Sequence, residues 1–244
     1  TVCRSSSDSS ATELRRCPHE LSDFPIKVTP FVKIIGVGDG VKSTLDAIKR
    51  NIPEIAQITS YNNDTPKDND RLVIFVSDSE NEKLAQLISK YKREDNLVIV
   101  FSAYGYEVDP KGMDSMMITS VEQMPGLIQE LLWVIIHQGP IMLAYQDLKS
   151  IMEDSQRFVV LTAKASGQNR IEQCLKQMNI YDLAYSNYLV AIYMNPNEDM
   201  KVTELSCLSE WAGKFGEEVY IIRGVLYDES LSVGDIKMTV IDTE

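Results

Sequence analysis

The sequence predicts an α/β protein in which a parallel sheet lies between helices in three layers, followed by a central helix and a C-terminal α+β unit. In the first half of the chain, short runs that are apolar at almost every position alternate with amphipathic segments. This pattern is typical of strands that are buried on both faces of a parallel sheet. The last part of the chain has four apolar runs, and a short turn separates the final two.

Three runs in the first half match buried strands because they are rich in β-branched and aromatic residues. They are FVKIIG (Phe31 to Gly36), RLVIFV (Arg71 to Val76) and NLVIVFSA (Asn96 to Ala103). Amphipathic segments from Ser43 to Ile52 and from Ser79 to Glu94 predict helices, the first with Ser43 or Thr44 as its N-terminal cap. The polar segment from Tyr61 to Leu72 predicts an exposed loop.

The second half begins with a largely apolar helix from Val121 to Gln138, and a shorter helix from Tyr145 to Asp154 follows it. Helices at Asn169 to Met178 and Val202 to Phe215 are then expected between strands. The strands are RFVVLTAKA, NYLVAIYMN, EEVYIIRGVLYD and DIKMTVIDT. The turn DESLSVG between the last two predicts a closing β-hairpin. The expected units are a flexible leader at 1–25, an α/β domain at 26–120, a central helix and linker at 121–154, and an α+β domain at 155–244.

The composition excludes several classes of function. Lys and Arg number 24 against 36 for Asp and Glu, and the formal net charge of -12 would repel a nucleic-acid backbone. No apolar run approaches the roughly 20 residues of a transmembrane helix. The four cysteines form no CxxC pair and the chain has 2 histidines, so no metal site is expected. We expect a cytoplasmic protein.

Two C-terminal segments resemble the family of the bacterial cell division protein FtsZ, a relative of tubulin. The tail from Glu217 to Thr243 has the family's order of apolar strand, Gly-Val, Asp-Glu-Ser-Leu, Gly-Asp and IKMTVIDT. The segment KASGQNRIEQCLKQ keeps Ala165, Ser166, Gly167 and Arg170 of the family's A-S-G-E-D-R-A pattern. The resemblance implies a shortened FtsZ/tubulin-like nucleotide domain, a central helix and an FtsZ-type C-terminal domain.

By this resemblance, the family's first phosphate-binding turn corresponds to GVGDGVKS, from Gly36 to Ser43. Asp39 adds a carboxylate where phosphate oxygens would lie. The octet also lacks one glycine of a P-loop, because Val41 precedes Lys42. Two interpretations stay open: a plain strand-to-helix turn, or a nucleotide site that binds GTP. The residues of the nucleotide site would be Gly36, Gly38, Asp39, Gly40, Lys42 and Ser43.

The same comparison indicates that two further elements of the family's GTPase site are lost. A glycine-rich signature loop should follow RLVIFV, but the chain continues SDSENEKLAQ, with no glycine and three carboxylates. The loop that acts on the nucleotide of the next subunit corresponds to MLAYQD, in which Met142 and Ala144 replace polar residues and only Asp147 remains. We expect Asp147 to be a first-turn helix acid rather than a catalytic residue.

The sequence therefore indicates a degenerate FtsZ relative, a pseudo-GTPase with no catalytic residue, metal or required cofactor. Its expected role is self-association, or binding to a protein partner such as an FtsZ-type filament, in cell division or a filament system. The alternative is a GTP-binding homologue, or an altered phosphate-binding protein, that uses the turn from Gly36 to Ser43. A scaffold domain tethered by the Ser-rich leader is a third interpretation.

Overall fold

The structure is a computed structural model that describes residues 31–52, 56–78, 82–103, 112–153, 155–178, 187–214 and 219–244. The leader predicted at 1–25 lies outside the described residues. The described part of the chain contains two sheets with helices packed against them, in agreement with the predicted fold class.

Five parallel strands form the first sheet in the order β2-β1-β3-β4-β5. They are β1 (Val32–Val37), β2 (Ala56–Ser60), β3 (Leu72–Ser77), β4 (Leu97–Ala103) and β5 (Ser115–Thr119). Every residue of β1, β3 and β4 is buried, because helices cover both faces of the sheet. The parallel arrangement predicted from the uniformly apolar runs is confirmed.

Helices pack against opposite faces of this sheet. The helices α1 (Lys42–Asn51) and α3 (Met124–Ile136) share a core with strand residues such as Ile34. The helix α2 (Glu82–Tyr91) packs on the other face, with residues such as Ile35. Because successive strand residues point to opposite faces, each buried strand contributes to both cores. The predicted three layers are therefore present.

A second sheet has the strand order β6-β9-β7-β8. The helix α4 (Tyr145–Met152) leads into it, and the elements that follow are β6 (Phe158–Ser166), α5 (Arg170–Gln177), β7 (Asn187–Met194), α6 (Val202–Ala212), β8 (Tyr220–Tyr227) and β9 (Asp235–Thr243). One face packs against α5 and α6 around Cys174 and Trp211. Leu189 and Ile241 on the other face join the core that contains α3. The helix α3 is thus central to both sheets.

The predicted closing hairpin is wrong. The strand β9 lies between β6 and β7 and is antiparallel to both, whereas β8 pairs in parallel with β7. The connection between β8 and β9 crosses the end of β7, where Asp228 N donates to Met194 O at 2.9 Å. The reason is burial: β9 is buried at all positions but its first and needs a central place, while the half-exposed start of β8 suits an edge.

Two strands are missing from the sequence-based prediction. The strand β2 reads AQITS and is half-buried at every position, so it has no continuous apolar run. The strand β5 reads SMMIT, and its two methionines are not among the residue types typical of strands. Both join the sheet through main-chain pairing with a strand that has a strong apolar pattern.

The loop predicted from Tyr61 to Leu72 is not wholly exposed, because two of its carboxylates are buried around Lys33. The Lys33 side chain is 1% exposed, and its Nζ lies 3.0 Å from Asp64 Oδ2 and 2.7 Å from Asp70 Oδ2. The Tyr91 hydroxyl donates to Asp64 Oδ2 at 2.7 Å. Burial alone would raise the pKa of Asp64, but the hydrogen bonds from Tyr91 and Lys33 outweigh it and lower that pKa. The cluster fastens the loop to β1.

We predict that Lys33→Met lowers the free energy of unfolding by about 3–5 kcal/mol, because two buried carboxylates lose their cation. Urea denaturation measures this change. Lys49→Met, at an exposed position of α1, is the control and should change stability by less than about 1 kcal/mol. A Lys33→Met protein as stable as its parent would show that the cluster does not hold the loop.

Asp242 on β9 is a buried carboxylate in the second sheet. It is 0% exposed, and both of its carboxylate oxygens are buried. Burial raises the pKa of Asp242 to about 7, whereas an aspartate in an unfolded chain titrates near pH ~4. Between these two values the folded protein holds a proton that the unfolded chain has released.

We therefore expect the free-energy contribution of Asp242 to decline as the pH rises from ~4 to ~7. Asp242→Asn removes the titration, so its stability relative to the parent should increase across that interval. Urea denaturation at several pH values measures the difference, with Asp235→Asn at the start of the same strand as the control. A difference that stays constant with pH would contradict the prediction.

Candidate functional site

The strand order of the first sheet creates a crevice at the carboxyl ends of β1 and β3. The chain leaves β1 toward β2 on one side, and β3 lies on the other side. Ligands of open α/β sheets bind outside the strand ends at such a reversal of strand order. The glycine turn between β1 and α1 lies at this edge, next to Ser77 and Asp78 at the end of β3. The fold thus places the predicted turn where a ligand site is expected.

Gly36 belongs to β1 rather than to the turn. A Cβ at this position would lie 2.6 Å from Leu45 Cδ1 and 2.8 Å from Val41 Cγ2, so glycine allows α1 to pack closely on its strand. Gly38 has a φ of 118°, which other residues rarely adopt, and it turns the chain toward α1. Close packing and the change of direction therefore account for both glycines without a ligand.

A carboxylate fills the space in front of Gly40. A Cβ on Gly40 would collide with Asp78 Oδ2, so the Asp78 side chain lies against the bare backbone of the turn. Its other oxygen, Oδ1, is buried and has no hydrogen-bond partner among the described residues. An anion that approached Gly40 would meet this negative charge.

The carboxylates of SDSENEKLAQ are evident in the sequence, but the contact between Asp78 and Gly40 is not. This contact depends on the register of two neighbouring parallel strands, which the sequence alone does not give. Val37 of β1 pairs with Ser77 of β3, so the residues that follow these two positions meet. The segment 79–81, which contains another of those carboxylates, lies outside the described residues.

The remaining residues predicted for the turn face solvent. Asp39, Lys42 and Ser43 are exposed, and Ser43 Oγ donates to a main-chain carbonyl of the turn at 3.4 Å. The helix α1 begins at Lys42 after Val41, and no side chain caps it. The prediction that Ser43 or Thr44 caps this helix is therefore wrong, and Thr44 is buried instead. Binding of nucleotide by these residues stays a prediction.

Asp147 lies near the amino ends of the strands of the first sheet, whereas the glycine turn lies at their carboxyl ends. It is the first-turn acid of α4, and its Oδ2 accepts a hydrogen bond from Ala144 N at 2.7 Å. The neighbouring Tyr145 hydroxyl donates to Arg71 O, just before β3, at 2.8 Å. Met142 in the preceding connection is 68% exposed. Within one chain, the structure separates Asp147 from the glycine turn.

No group of three or more His, Cys, Asp and Glu side chains in the described ranges is arranged to bind a metal ion. Burial raises the pKa of the Cys174 thiol to about 11, so this cysteine is protonated at neutral pH and is a poor ligand. None of the helices in the described part of the chain is both long and apolar enough to span a membrane.

Comparison with solved structures identifies the fold. The empty FtsZ dimer of M. jannaschii matches with a TM-score of 0.66 and 11% identity, over 87% of this chain and 88% of that chain. The GDP-bound monomer of CetZ1 from Haloferax volcanii matches with a TM-score of 0.63 and 9% identity, over 86% and 93%. The chain has the FtsZ/tubulin-type fold. The GDP-form TubZ protofilaments of Bacillus thuringiensis serovar israelensis match with a TM-score of 0.52 and 9% identity, over 71% and 61%.

No protein-family model matches the sequence, and a search of curated proteins finds no match. Identities of 9–11% show a shared fold alone. The resemblance drawn from the sequence is thus supported for the architecture of both sheets. The loss of the GTPase site stays a prediction.

We predict that Gly36→Ala lowers the free energy of unfolding by about 1–3 kcal/mol, because the new Cβ presses on the Leu45 and Val41 side chains. Gly126→Ala in the first turn of α3 is the matched control, since nothing lies within 4 Å of its Cβ position. The control should leave stability unchanged or raise it by up to about 1 kcal/mol. Thermal denaturation compares the two, and equal effects would contradict the close packing of α1 on β1.

Proposed function

We propose that this chain is an FtsZ/tubulin-fold protein without GTPase activity, which acts by self-association or by binding a protein partner. The setting that the resemblance implies is a cytoplasmic filament system or bacterial cell division. The proposal treats the chain as a pseudo-GTPase that needs no nucleotide, metal or catalytic residue. The contact between Asp78 and Gly40 is the observation that carries it.

The charge and geometry at Gly40 support the loss of nucleotide binding. A phosphate cradle uses bare main-chain N–H groups that point at the anion. Here the space beside Gly40 is occupied by the Asp78 carboxylate, whose Oδ1 is buried. A phosphate group bound beside Gly40 would lie next to the Asp78 carboxylate, and the repulsion between the two negative charges would weaken binding.

The connection before α4 supports the loss of hydrolysis. By the resemblance, the loop before α4 corresponds to a polar loop of the FtsZ family that acts on the nucleotide of the next subunit. In this chain that loop carries Met142 and Ala144, whose side chains neither position water nor bind a hard cation such as Mg²⁺. The remaining acid, Asp147, accepts a hydrogen bond from the main chain of its own helix.

Exposed apolar side chains support a role in association. Ile141 is 45% and Met142 is 68% exposed, and they lie side by side before α4. Solved structures of the same fold include an FtsZ dimer and TubZ protofilaments. The net charge of -12 disfavours nucleic acid as the partner and leaves protein surfaces as the better candidates.

A second candidate is an altered nucleotide or phosphate site at the same turn. The observation that favours it is the start of α1, where no side chain caps the helix and Gly38 adopts a positive φ. The solved CetZ1 structure of this fold is a GDP-bound monomer. In this candidate, Lys42 and Ser43 would contact phosphate groups. A cation bound to Asp39 would bridge its carboxylate to the phosphate.

Calorimetric titration with GTP and GDP in Mg²⁺ separates the two candidates. We expect no saturable heat at about 1 mM nucleotide, a ligand level that detects even weak binding. Binding that disappears in Lys42→Ala, but persists in the control Lys49→Ala, would replace the first candidate with the second. A GTP hydrolysis assay on the same samples should show no activity above buffer.

Sedimentation velocity tests the association half of the proposal. We expect association that rises with protein concentration, is unchanged by GTP, and weakens in Met142→Asp, because a charge enters an apolar contact. Val233→Asp, at an exposed valine between β8 and β9, is the control. A strict monomer that also fails to co-sediment with FtsZ filaments would contradict this half.

A further inference from the structure

A groove lies between the facing edges of the two sheets. The strands β5 and β6 are joined near their starts by one parallel bridge, between Met116 and Arg157, where Met116 N donates to Gln156 O at 3.3 Å. No further strand pairing joins β5 to β6 in the part of the chain that the structure describes. Instead, a cavity of about 590 Å³ lies between residues 117–119 of β5 and residues 159–162 of β6. We call this cavity the β5–β6 groove.

The helix α3 lines a third side of the groove. Thr119 Oγ1 donates to Gln123 Oε1 at 3.0 Å and joins the end of β5 to the start of the helix. One turn further along, Gly126 is exposed, and nothing lies within 4 Å of its Cβ position. Leu127 beside it is half-buried and also lines the groove. The surface of α3 therefore leaves room for a bulky apolar side chain.

The edge of β5 that faces the groove is open. The strand β5 is last in the strand order of the first sheet and pairs along its other side with β4. Met116 N donates away from β4, to Gln156 O. Because main-chain groups alternate along a strand, the N–H group of Ile118 points to the same side. No hydrogen bond of that N–H is present among the described residues, so it is available to an added strand.

The edge of β6 that faces the groove is open as well. Glu244 N donates to Arg157 O at 2.9 Å, so every second residue from Arg157 onward directs its main-chain groups toward β9. The N–H groups of Val160 and Thr162 therefore point to the other side, where the described part of the chain provides no partner. Residues 117–119 and 159–162 include no charged residue and no proline, which are common protections of strand edges.

The dimensions of the groove suit a short extended peptide. The three residues of β5 and four residues of β6 that line it span roughly 10–13 Å, the length of three to four residues in a strand. The cavity of about 590 Å³ lies within the range of roughly 300–1,000 Å³ that is typical of ligand sites. A strand added there has open main-chain groups on both sides, which is the usual basis of peptide binding at a sheet edge.

The charged side chains that line the groove are both acidic. Glu130 already pairs with Lys237, whose Nζ lies 3.0 Å from Glu130 Oε2. Glu122 is exposed and forms no ion pair within the described ranges. It precedes Gly126 by one helical turn, about 6 Å along the helix direction. Side chains two positions apart in a strand are separated by about 6–7 Å. The lining therefore favours a peptide with Lys or Arg two positions from a bulky apolar residue.

We propose that the β5–β6 groove binds an extended segment of a partner protein, which adds a strand between the two sheets. The main chain of this segment pairs with Ile118 on one side and with Val160 and Thr162 on the other. A bulky apolar side chain of the segment lies over Gly126, and a Lys or Arg two positions away pairs with Glu122. This inference rests on the partner-binding form of the proposed function and gives the chemistry of the partner.

Selection of binders from a displayed library of random ten-residue peptides, with the full chain as the target, tests the proposal. We expect the enriched peptides to share a bulky apolar residue two positions from Lys or Arg. A synthetic copy of an enriched peptide should slow hydrogen exchange of the Ile118, Val160 and Thr162 amides by at least about 10-fold, because strand pairing protects open-edge amides.

Two substitutions test whether that peptide binds in the groove, with fluorescence anisotropy as the measurement. Gly126→Phe fills the space beside α3 and should weaken binding by at least about 10-fold, because the apolar side chain of the peptide loses its place. The matched control Gly126→Ala should weaken binding far less. Glu122→Lys should weaken binding by about 3-fold or more through like-charge repulsion, and Glu210→Lys at an exposed position of α6 should not. Thermal denaturation verifies that each variant is folded.

A selection without enriched peptides would overturn the proposal, as would binding that Gly126→Phe leaves unchanged. Protection of the three amides without peptide would also overturn it. Protection that rises with protein concentration would assign the groove to a second copy of the chain, and protection at every concentration would assign it to another segment of the same chain. GTP hydrolysis by a protein that still binds the peptide would contradict the loss of GTPase activity alone.

Failure of the proposed function and failure of this inference are thus distinguishable.

Discussion

Where β1 and β3 end side by side, Asp78 presents its carboxylate to the bare backbone of Gly40. The contact follows from the parallel register of the two strands, which brings the residues after Val37 and after Ser77 together. A glycine turn at this edge of an α/β sheet is where an anion is expected to bind. In this molecule the chain supplies its own anion there, and the interpretation of the protein as a non-hydrolysing member of the fold depends on that contact.

Interactions outside the glycine turn hold the architecture together. The central helix α3 is fastened to β9 by Lys237, whose Nζ lies 3.0 Å from Glu130 Oε2 and 3.9 Å above the Trp133 ring. Apolar side chains of α3 also form one continuous core with strands of both sheets. The Lys237 contacts do not involve the glycine turn, and the turn contributes only Val41 to that core, so loss of nucleotide binding would leave the fold intact. Exposed apolar side chains, Ile141 and Met142, lie before α4 and outside the glycine turn.

The parts of the fold that could be predicted are those in which one chain segment carries its own signal. The apolar runs at β1, β3 and β4 and the amphipathic pattern of α2 correspond to observed elements because burial on both faces, or on one helical face, leaves a local pattern. The prediction of a closing hairpin is wrong because strand partners depend on comparison between distant segments: β9 is more buried than β8 and lies inside the sheet. The strand β2 depends on pairing with β1 and leaves little trace in its own residues.

The same distinction holds at the site. The glycines of the turn and the carboxylates after β3 were visible in the sequence, but their meeting at Gly40 required the sheet register. The contacts of Lys33 also could not be predicted from a single segment. The polar loop that the sequence predicts to be exposed contributes two carboxylates to a buried ion cluster around this lysine. Local polarity does not reveal which charges a distant lysine takes out of solvent.

A crystal structure of the protein grown with GTP and Mg²⁺ tests the central claim most directly. The account predicts that the turn from Gly38 to Ser43 holds no nucleotide and that the Asp78 carboxylate stays against Gly40. Density for a guanine nucleotide with its phosphates against that turn, and with Asp78 turned away, would contradict it.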